Sequence, residues 1–160
     1  MSSNTVQQRF GGCQVVLCTL DMLSNAQLRN RGITKLIPIK YLIIDEASQI
    51  DVNDYIPVFT LFASSLEKVC CIGDNKQLPP FGQESNEDLK SIFEISHLTD
   101  KTTFLNIQYR MPPTIGQFIS QYIYEGQLQS NPGHPVAGQT CYFIDVSGGK
   151  EELHDTSWMV

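Results

Sequence analysis

Two adjacent carboxylates, Asp45 and Glu46, directly follow the apolar run Leu42-Ile43-Ile44. A short uninterrupted apolar run reads as a buried strand, which delivers the pair to the strand's carboxyl end. In open parallel α/β sheets ligands bind outside that end, where acids can meet a metal ion and a phosphate. The same pair also suits a strand that ends in soluble carboxylates capping the next turn or helix, and the run alone leaves both readings open. Other apolar runs end in polar groups in the same way. Val69-Cys70-Cys71-Ile72 leads into Gly73-Asp74-Asn75-Lys76-Gln77-Leu78-Pro79-Pro80, a stiff glycine-led loop that can hold the Gln77 side chain in place. Phe104-Leu105-Asn106-Ile107 leads into Gln108-Tyr109-Arg110-Met111. Val15-Val16-Leu17-Cys18 stops at Thr19, whose hydroxyl either caps the following turn or holds a backbone phosphate.

Positioning these ends takes alternating strands and helices. Val6 to Phe10 reads as the end of a helix stopped by Gly11-Gly12, and Val15 to Cys18 as a buried strand. Leu20 to Arg31 reads as a short helix and loop, and Tyr41 to Ile44 as the strand before the acids. Asp51 or Asn53 can cap a crossover helix packing through Ile56, Phe59, Thr60 and Phe62, with Pro57 near its first turn. Leu66 to Ile72 is the next strand. Ser85 with Asp88 resembles a capping box, and Leu89, Ile92, Phe93 and Ser96 follow at helical spacing. After a strand at Phe104–Ile107, Pro112-Pro113 opens a helix whose stripe Ile115, Phe118, Ile119, Tyr122 and Ile123 predicts core, closed by Gly126. Gln129 to Gln139 is linker-like, Cys141 to Ile144 reads as a last strand, and Ser147-Gly148-Gly149-Lys150 as a turn. The alternation predicts α/β with a mostly parallel sheet.

The totals narrow the partners. With 160 residues, 41% of them hydrophobic, the chain can build a core. A net charge of -6 gives no general basic field for nucleic acid, so any such contact must be local. No apolar run approaches the ~18 residues of a membrane span, and Met1-Ser2-Ser3-Asn4-Thr5 lacks the pattern of a signal peptide. The expectation is an intracellular protein, cytoplasmic or nuclear, with no membrane partner. Cys13, Cys18, Cys70, Cys71 and Cys141 have neither zinc-site nor disulfide spacing and read as reduced core thiols.

Taken together, VVLCT, LIIDEASQ, IGDNKQLPP and LNIQYRMPP, followed by YEGQL, resemble the ordered motifs of the superfamily 1 helicases. On this resemblance the apolar run ending in Asp45-Glu46 corresponds to their Walker B strand. The likeness is closest to the branch containing the nonsense-mediated-decay RNA helicase and the senataxin-type helicases, and it covers Val15 to about Leu128. It implies a RecA-like P-loop NTPase fold, with a partial first lobe over 1–100 and the start of a second lobe over 101–160. It implies ATP and Mg²⁺ as cofactors. Asp45 would hold the metal, and Glu46 would orient or deprotonate the attacking water. Gln77 would sense the γ-phosphate, Arg110 would lend charge to the transition state, and Asp74 and Tyr109 would serve nucleotide binding, Tyr109 by stacking on adenine. Thr19, Pro79 and Pro80 would lie near single-stranded RNA or DNA. Read singly, Gln77 also suits a helix cap, Tyr109 a core tyrosine and Arg110 a surface salt bridge.

The departures carry expectations too. No G-x-x-x-x-G-K-[ST] motif occurs, and Ser147-Gly148-Gly149-Lys150 fails as a substitute because Glu151 follows it and Ile144 holds the first glycine's place. The second lobe's later arginine-bearing motif is also missing, and Pro112 stands where relatives often carry histidine. The expectation is an incomplete fragment of an ATP-dependent helicase that translocates on single-stranded nucleic acid, RNA before DNA, inactive by itself, with apolar sheet edges left uncovered. The alternative is a non-catalytic module that binds nucleic acid or another helicase chain.

Overall fold

The computed structural model describes residues 12–30, 32, 37–136, 142, 144–150, 152–154 and 157–159. The chain divides into two units, Met1–Thr103 and Phe104–Val160.

In the first unit Thr19 lies in extended geometry and its Oγ1 accepts the Met22 amide at 3.2 Å, which starts helix α1, Leu20–Ser24. Helix α2, Ala26–Asn30, follows. Residues 13–19 form no strand, contrary to expectation, and Leu17 is 92% exposed. An apolar run becomes a strand only where a neighbour accepts its ladder hydrogen bonds, and this run pairs with none of the described strands.

Strand β1, Tyr41–Ile44, has the bounds its sequence predicts. Between it and the next strand come a 3-10 turn, Val52–Asp54, and helix α3, Tyr55–Phe62. That crossover returns the chain so that β2, Lys68–Cys71, runs parallel to β1, with Tyr41 opposite Lys68 and Ile44 opposite Cys71. Of the two expected caps of that helix, Asp51 caps the 3-10 turn instead, accepting the Asn53 amide at 2.9 Å, and α3 starts after Asp54 with no side-chain cap. The buried side of α3 is Tyr55, Val58 and Phe62, whereas Ile56 and Thr60 are exposed. The stripe runs i, i+3, i+7 from Tyr55, and of the expected packing residues Phe62 is buried and Phe59 packs half-buried on the core. Tyr55 and Phe59 stack with ring centroids 5.8 Å apart.

Alternation along β1 decides which side chains face that helix. Ile44 is buried beside Ala47 and Tyr55, and Leu42 packs on the same cluster. Tyr41 and Ile43 point to the opposite face and are 62% and 70% exposed. The adjacent cysteines split likewise: Cys71 is half-buried against the core, where burial pushes its thiol pKa up, and Cys70 is exposed. Cys13 and Cys18 are exposed as well, so the expectation of core thiols holds only for Cys71 among the described cysteines.

The helix expected after Ser85 does not form. The chain instead makes short 3-10 turns at Gln83–Ser85 and Ile92–Glu94, then helix α4, Ser96–Thr99. The capping box is Ser91 with Glu94, whose carboxylate accepts the Ser91 amide at 2.7 Å. Tertiary pairing overrides helical spacing here. Val52 donates to the Lys90 carbonyl at 2.8 Å and the Lys90 amide donates to Asp51 Oδ2 at 2.9 Å, which holds residues 90–91 extended.

In the second unit β3, Ile107–Gln108, leads into helix α5, Pro113–Ile123, and then into β4, Gln129–Ser130, parallel to β3. Helix α5 ends through Glu125 and Gly126, both at positive φ, and Gly126 donates to the Ser120 carbonyl at 2.9 Å. The expected apolar stripe is its buried side only in part: Ile115 and Ile119 are half-buried, but Phe118, Tyr122 and Ile123 are exposed. Gly116 and Ser120 are buried, while Phe118 and Tyr122 are exposed and lie against each other. Small residues let the helix approach β3 and β4 closely: a Cβ on Gly116 would collide with Ser130 Oγ and Gln108 Nε2. Gly149 closes the expected turn on Val146 at 3.2 Å, and Glu152–His154 pairs antiparallel with Ser157–Met159 as β5 and β6. Val6–Phe10, Cys141 and Phe143 lie outside the described residues, and Tyr142 and Ile144 belong to no regular element. No helix among the described residues is long and apolar enough to cross a membrane.

Candidate functional site

Where β1 ends, the chain turns sharply. Asp45 Oδ1 accepts the Glu46 amide at 3.0 Å, and Glu46 adopts the left-handed conformation at φ 52, ψ 37 before a 3-10 turn, Ala47–Gln49. A non-glycine residue there costs about 1–2 kcal/mol. The surroundings over-determine the turn: Ala47 and Ser48 are buried, and the Ala47 amide donates to the Ile72 carbonyl at 2.8 Å. The buried Tyr55 hydroxyl donates to the Ala47 carbonyl at 3.4 Å, and burial holds its pKa above the ordinary range. Both carboxylates are left facing solvent at the carboxyl edge of the sheet.

The second strand end is packed onto the first. Ile72 donates to the Ile44 carbonyl at 2.8 Å, extending the ladder one residue past β2. Gly73 then passes so close that a Cβ would lie 2.8 Å from the Ser48 amide nitrogen and 3.0 Å from that of Ala47. Asp74 organises the loop. Its Oδ1 accepts the Lys76 amide at 3.0 Å, its Oδ2 accepts Gln77 Nε2 at 2.7 Å, and its carbonyl accepts the Gln77 amide at 3.1 Å. The fold thus gathers Asp45, Glu46, Asp74 and Gln77 on the ends of two paired strands. Farther along, Pro79 is exposed and Pro80 is buried, so only the first proline presents surface. The Thr19 hydroxyl is engaged as the α1 cap.

Magnesium fits this edge in one mode. No cluster of three or more metal-ligating side chains exists among the described residues. Mg²⁺ bound with a nucleotide needs only one or two protein carboxylates, the rest of its shell being water and phosphate oxygens. Asp45, exposed at the sheet edge, meets that requirement. Nothing in the sequence matches a phosphate-cradling glycine-rich loop with its lysine.

In the second unit Tyr109 is 67% exposed and Arg110 is exposed, so neither is a core residue. Gln108 clasps the loop that carries them. Its Oε1 accepts the Met111 amide at 2.7 Å, and its Nε2 donates to the Met111 carbonyl and to Ser130 Oγ, both at 2.8 Å. His134 Nε2 lies 3.3 Å from the Arg110 carbonyl, while its Nδ1 accepts the Val136 amide at 3.1 Å. Nδ1 also lies 3.3 Å from the Val136 carbonyl, and in the tautomer with its proton on Nε2 the ring donates to the Arg110 carbonyl.

Sequence reasoning gave no role to Gly73, Gln108 or His134. For the first two the signals were a glycine opening the turn and a long amide placed directly before Tyr109-Arg110. His134 carries no such signal, because it meets Arg110 across 24 positions of chain.

Two family profiles, each described as an AAA domain, match the chain, one over residues 2–84 and the other over 89–158. The chain is 28% identical over 172 aligned residues to "Probable helicase senataxin" of Homo sapiens, which covers 91% of this chain and 6% of that protein. It is 29% identical over 126 residues to "Helicase SEN1" of Saccharomyces cerevisiae, covering 69% of this chain and 6% of that one. To "DNA polymerase alpha-associated DNA helicase A" of Schizosaccharomyces pombe it is 33% identical over 130 residues, covering 79% and 18%. It spans less than a fifth of the length of these relatives. With one profile matching more than half of its residues, the chain belongs to the AAA domain family, among the senataxin-type superfamily 1 helicases.

Proposed function

We propose that the chain is the hydrolytic edge of an ATP-driven motor that moves along single-stranded nucleic acid, RNA before DNA, and that by itself it turns over no ATP. The observation that supports this reading is the parallel pairing of β1 with β2, which sets the Asp45-Glu46 turn beside the Gly73–Gln77 loop. Glu46, held out of the core by its left-handed turn, orients the attacking water and takes its proton. Asp45 holds Mg²⁺, and the ion when bound supplies charge neutralisation between the terminal phosphates. Gln77, braced by Asp74, senses the γ-phosphate through its amide. Arg110 lends positive charge to the transferring phosphoryl group, and the exposed face of Tyr109 takes the adenine. Thr19 and Pro79 face the nucleic acid, with Pro80 as the buried anchor of that loop. The Thr19 hydroxyl uses a lone pair for the Met22 amide and still has its own O–H to donate to a phosphate oxygen. The preference for RNA rests on the motif resemblance to the nonsense-mediated-decay helicase.

Two measurements test the reading. Purified chain with ATP, with and without single-stranded RNA, is expected to show background turnover; turnover that Glu46→Gln abolishes sinks the claim of inactivity. A chimaera carrying residues 13–136 in place of the matching segment of a complete superfamily 1 helicase is expected to hydrolyse ATP on RNA and to lose this with Glu46→Gln. A folded, ATP-binding chimaera without turnover overturns the motor reading.

The bare face of Tyr41 and Ile43 favours a second element, a role in which another helicase chain covers this sheet. Addition of such a chain is expected to protect the amides of β1 from hydrogen exchange; unchanged exchange removes this element.

A further inference from the structure

The loop that follows Gln77 ends in a feature the motor reading does not use. Phe81 is 99% exposed, and Leu78 in the same loop is also exposed. A fully solvated aromatic on a floppy loop says little, but this one is pinned. Pro80 before it is buried. Gly82 after it sits at φ 86, ψ 0, the third-residue geometry of a type II turn, and the Gln83 amide closes the turn on the Pro80 carbonyl at 3.1 Å. The Ser85 and Asn86 amides both donate to the Gly82 carbonyl at 3.0 Å, and Gln83 Nε2 donates to the Leu89 carbonyl at 2.6 Å. The backbone is held on both sides while the ring is held out in water, which lowers the entropy lost when a partner covers it.

Charge selects the partner. From Gln77 to Leu89 the chain carries Glu84, Glu87 and Asp88 and no lysine or arginine, with Lys76 and Lys90 standing just outside the segment at its two ends. All three carboxylates are exposed, and none makes an ion pair or a side-chain hydrogen bond among the described residues. A nucleic-acid strand laid on Phe81 would bring phosphates toward three like charges, whereas a basic protein surface would be attracted. We propose that Phe81 is the anchor of a protein-docking knob, recognised by an apolar pocket rimmed with lysine or arginine on a partner protein. This goes beyond the motor reading and is independent of it, with the loop's nucleic-acid contact ending at Pro79.

The test uses a random peptide library displayed on phage, depleted on the Phe81→Ala chain and then selected on the unaltered chain. Phe81 is wholly exposed, so the variant is expected to melt as the unaltered chain does. Selected peptides are expected to combine an apolar or aromatic residue with lysine or arginine. They should bind Phe81→Ala at least about tenfold more weakly. Glu84→Gln with Glu87→Gln and Asp88→Asn should weaken them and flatten their salt dependence. No peptide surviving depletion, or peptides lacking basic residues, overturns the proposal. So does a single-stranded oligouridine whose binding falls with Phe81→Ala, which would make the knob a base-stacking platform.

Discussion

Gly73 passes so close to Ser48 that a Cβ added to it would lie 2.8 Å from the Ser48 amide nitrogen, with Phe93 Cε2 equally near. The loop that holds Gln77 is thereby seated on the turn that presents Glu46, backbone against backbone, and neither side can yield cheaply. Gly73→Ala is expected to destabilise the chain by about 1–3 kcal/mol, the usual cost of overpacking. Denaturant unfolding followed by circular dichroism measures it, and a variant as stable as the parent refutes the close seating.

The left-handed turn at Glu46 makes the opposite prediction. Glycine is at ease at φ 52, so Glu46→Gly should relieve roughly 1 kcal/mol of strain, reduced by the extra entropy glycine gives the unfolded chain. Thermal melts should show Glu46→Gly equal to or above Glu46→Ala. A midpoint below that of Glu46→Ala would mean that the strain at this φ is smaller than the entropy glycine adds to the unfolded chain.

Gln108 should act through position. Gln108→Ala removes its bonds to both backbone groups of Met111 and to Ser130, at roughly 1 kcal/mol each. Hydrogen exchange at the Met111 amide should accelerate by at least about tenfold, since 1.4 kcal/mol corresponds to that factor. His134→Ala should loosen the loop at Arg110 while leaving the Met111 bond in place. Equal protection of Met111 in Gln108→Ala and parent would contradict the clasp.

Asp51 predicts a pH dependence. The Asn53 amide, with further donation from Lys90 and the Asn53 side chain, holds its carboxyl below the usual carboxylate range. A folded pKa depressed in this way gives stability that is present above the unfolded value of about 4 and lost as pH falls through the lower folded value. Asp51→Asn should flatten the acid limb of a plot of melting temperature against pH. Asp51→Ala should cost about 1 kcal/mol at neutral pH through loss of the cap. Parallel acid limbs for parent and Asp51→Asn would count against the assignment.

The bare face of β1 should govern association. Tyr41→Thr with Ile43→Thr keeps strand propensity and removes exposed apolar surface, so light scattering should show less self-association with stability changed by under about 0.5 kcal/mol. Unaltered association would place the sticky surface elsewhere, and a large loss of stability would mean that the face is covered.

What residue order alone determined was local. The apolar run that ends at Asp45-Glu46 marks β1 with its observed bounds, and the glycine-led loop after Ile72 and the Pro-Pro helix start were legible because each is written in neighbouring residues. The motif blocks named the family for the same reason. The tertiary structure alone decided the rest. Val15–Cys18 looks like any buried strand but has no described neighbour to pair with, and the helical spacing after Ser85 gives way to the pairing of Lys90 with Val52 and Asp51. On α5 the buried line is Gly116 and Ser120, because close approach of β3 and β4 needs small residues where hydropathy favoured Phe118 and Tyr122. Gly73 against Ser48, and His134 beneath Arg110, join residues far apart in the chain. Periodicity reports which face a residue occupies in its own element, but which element will meet that face is set by packing across the fold.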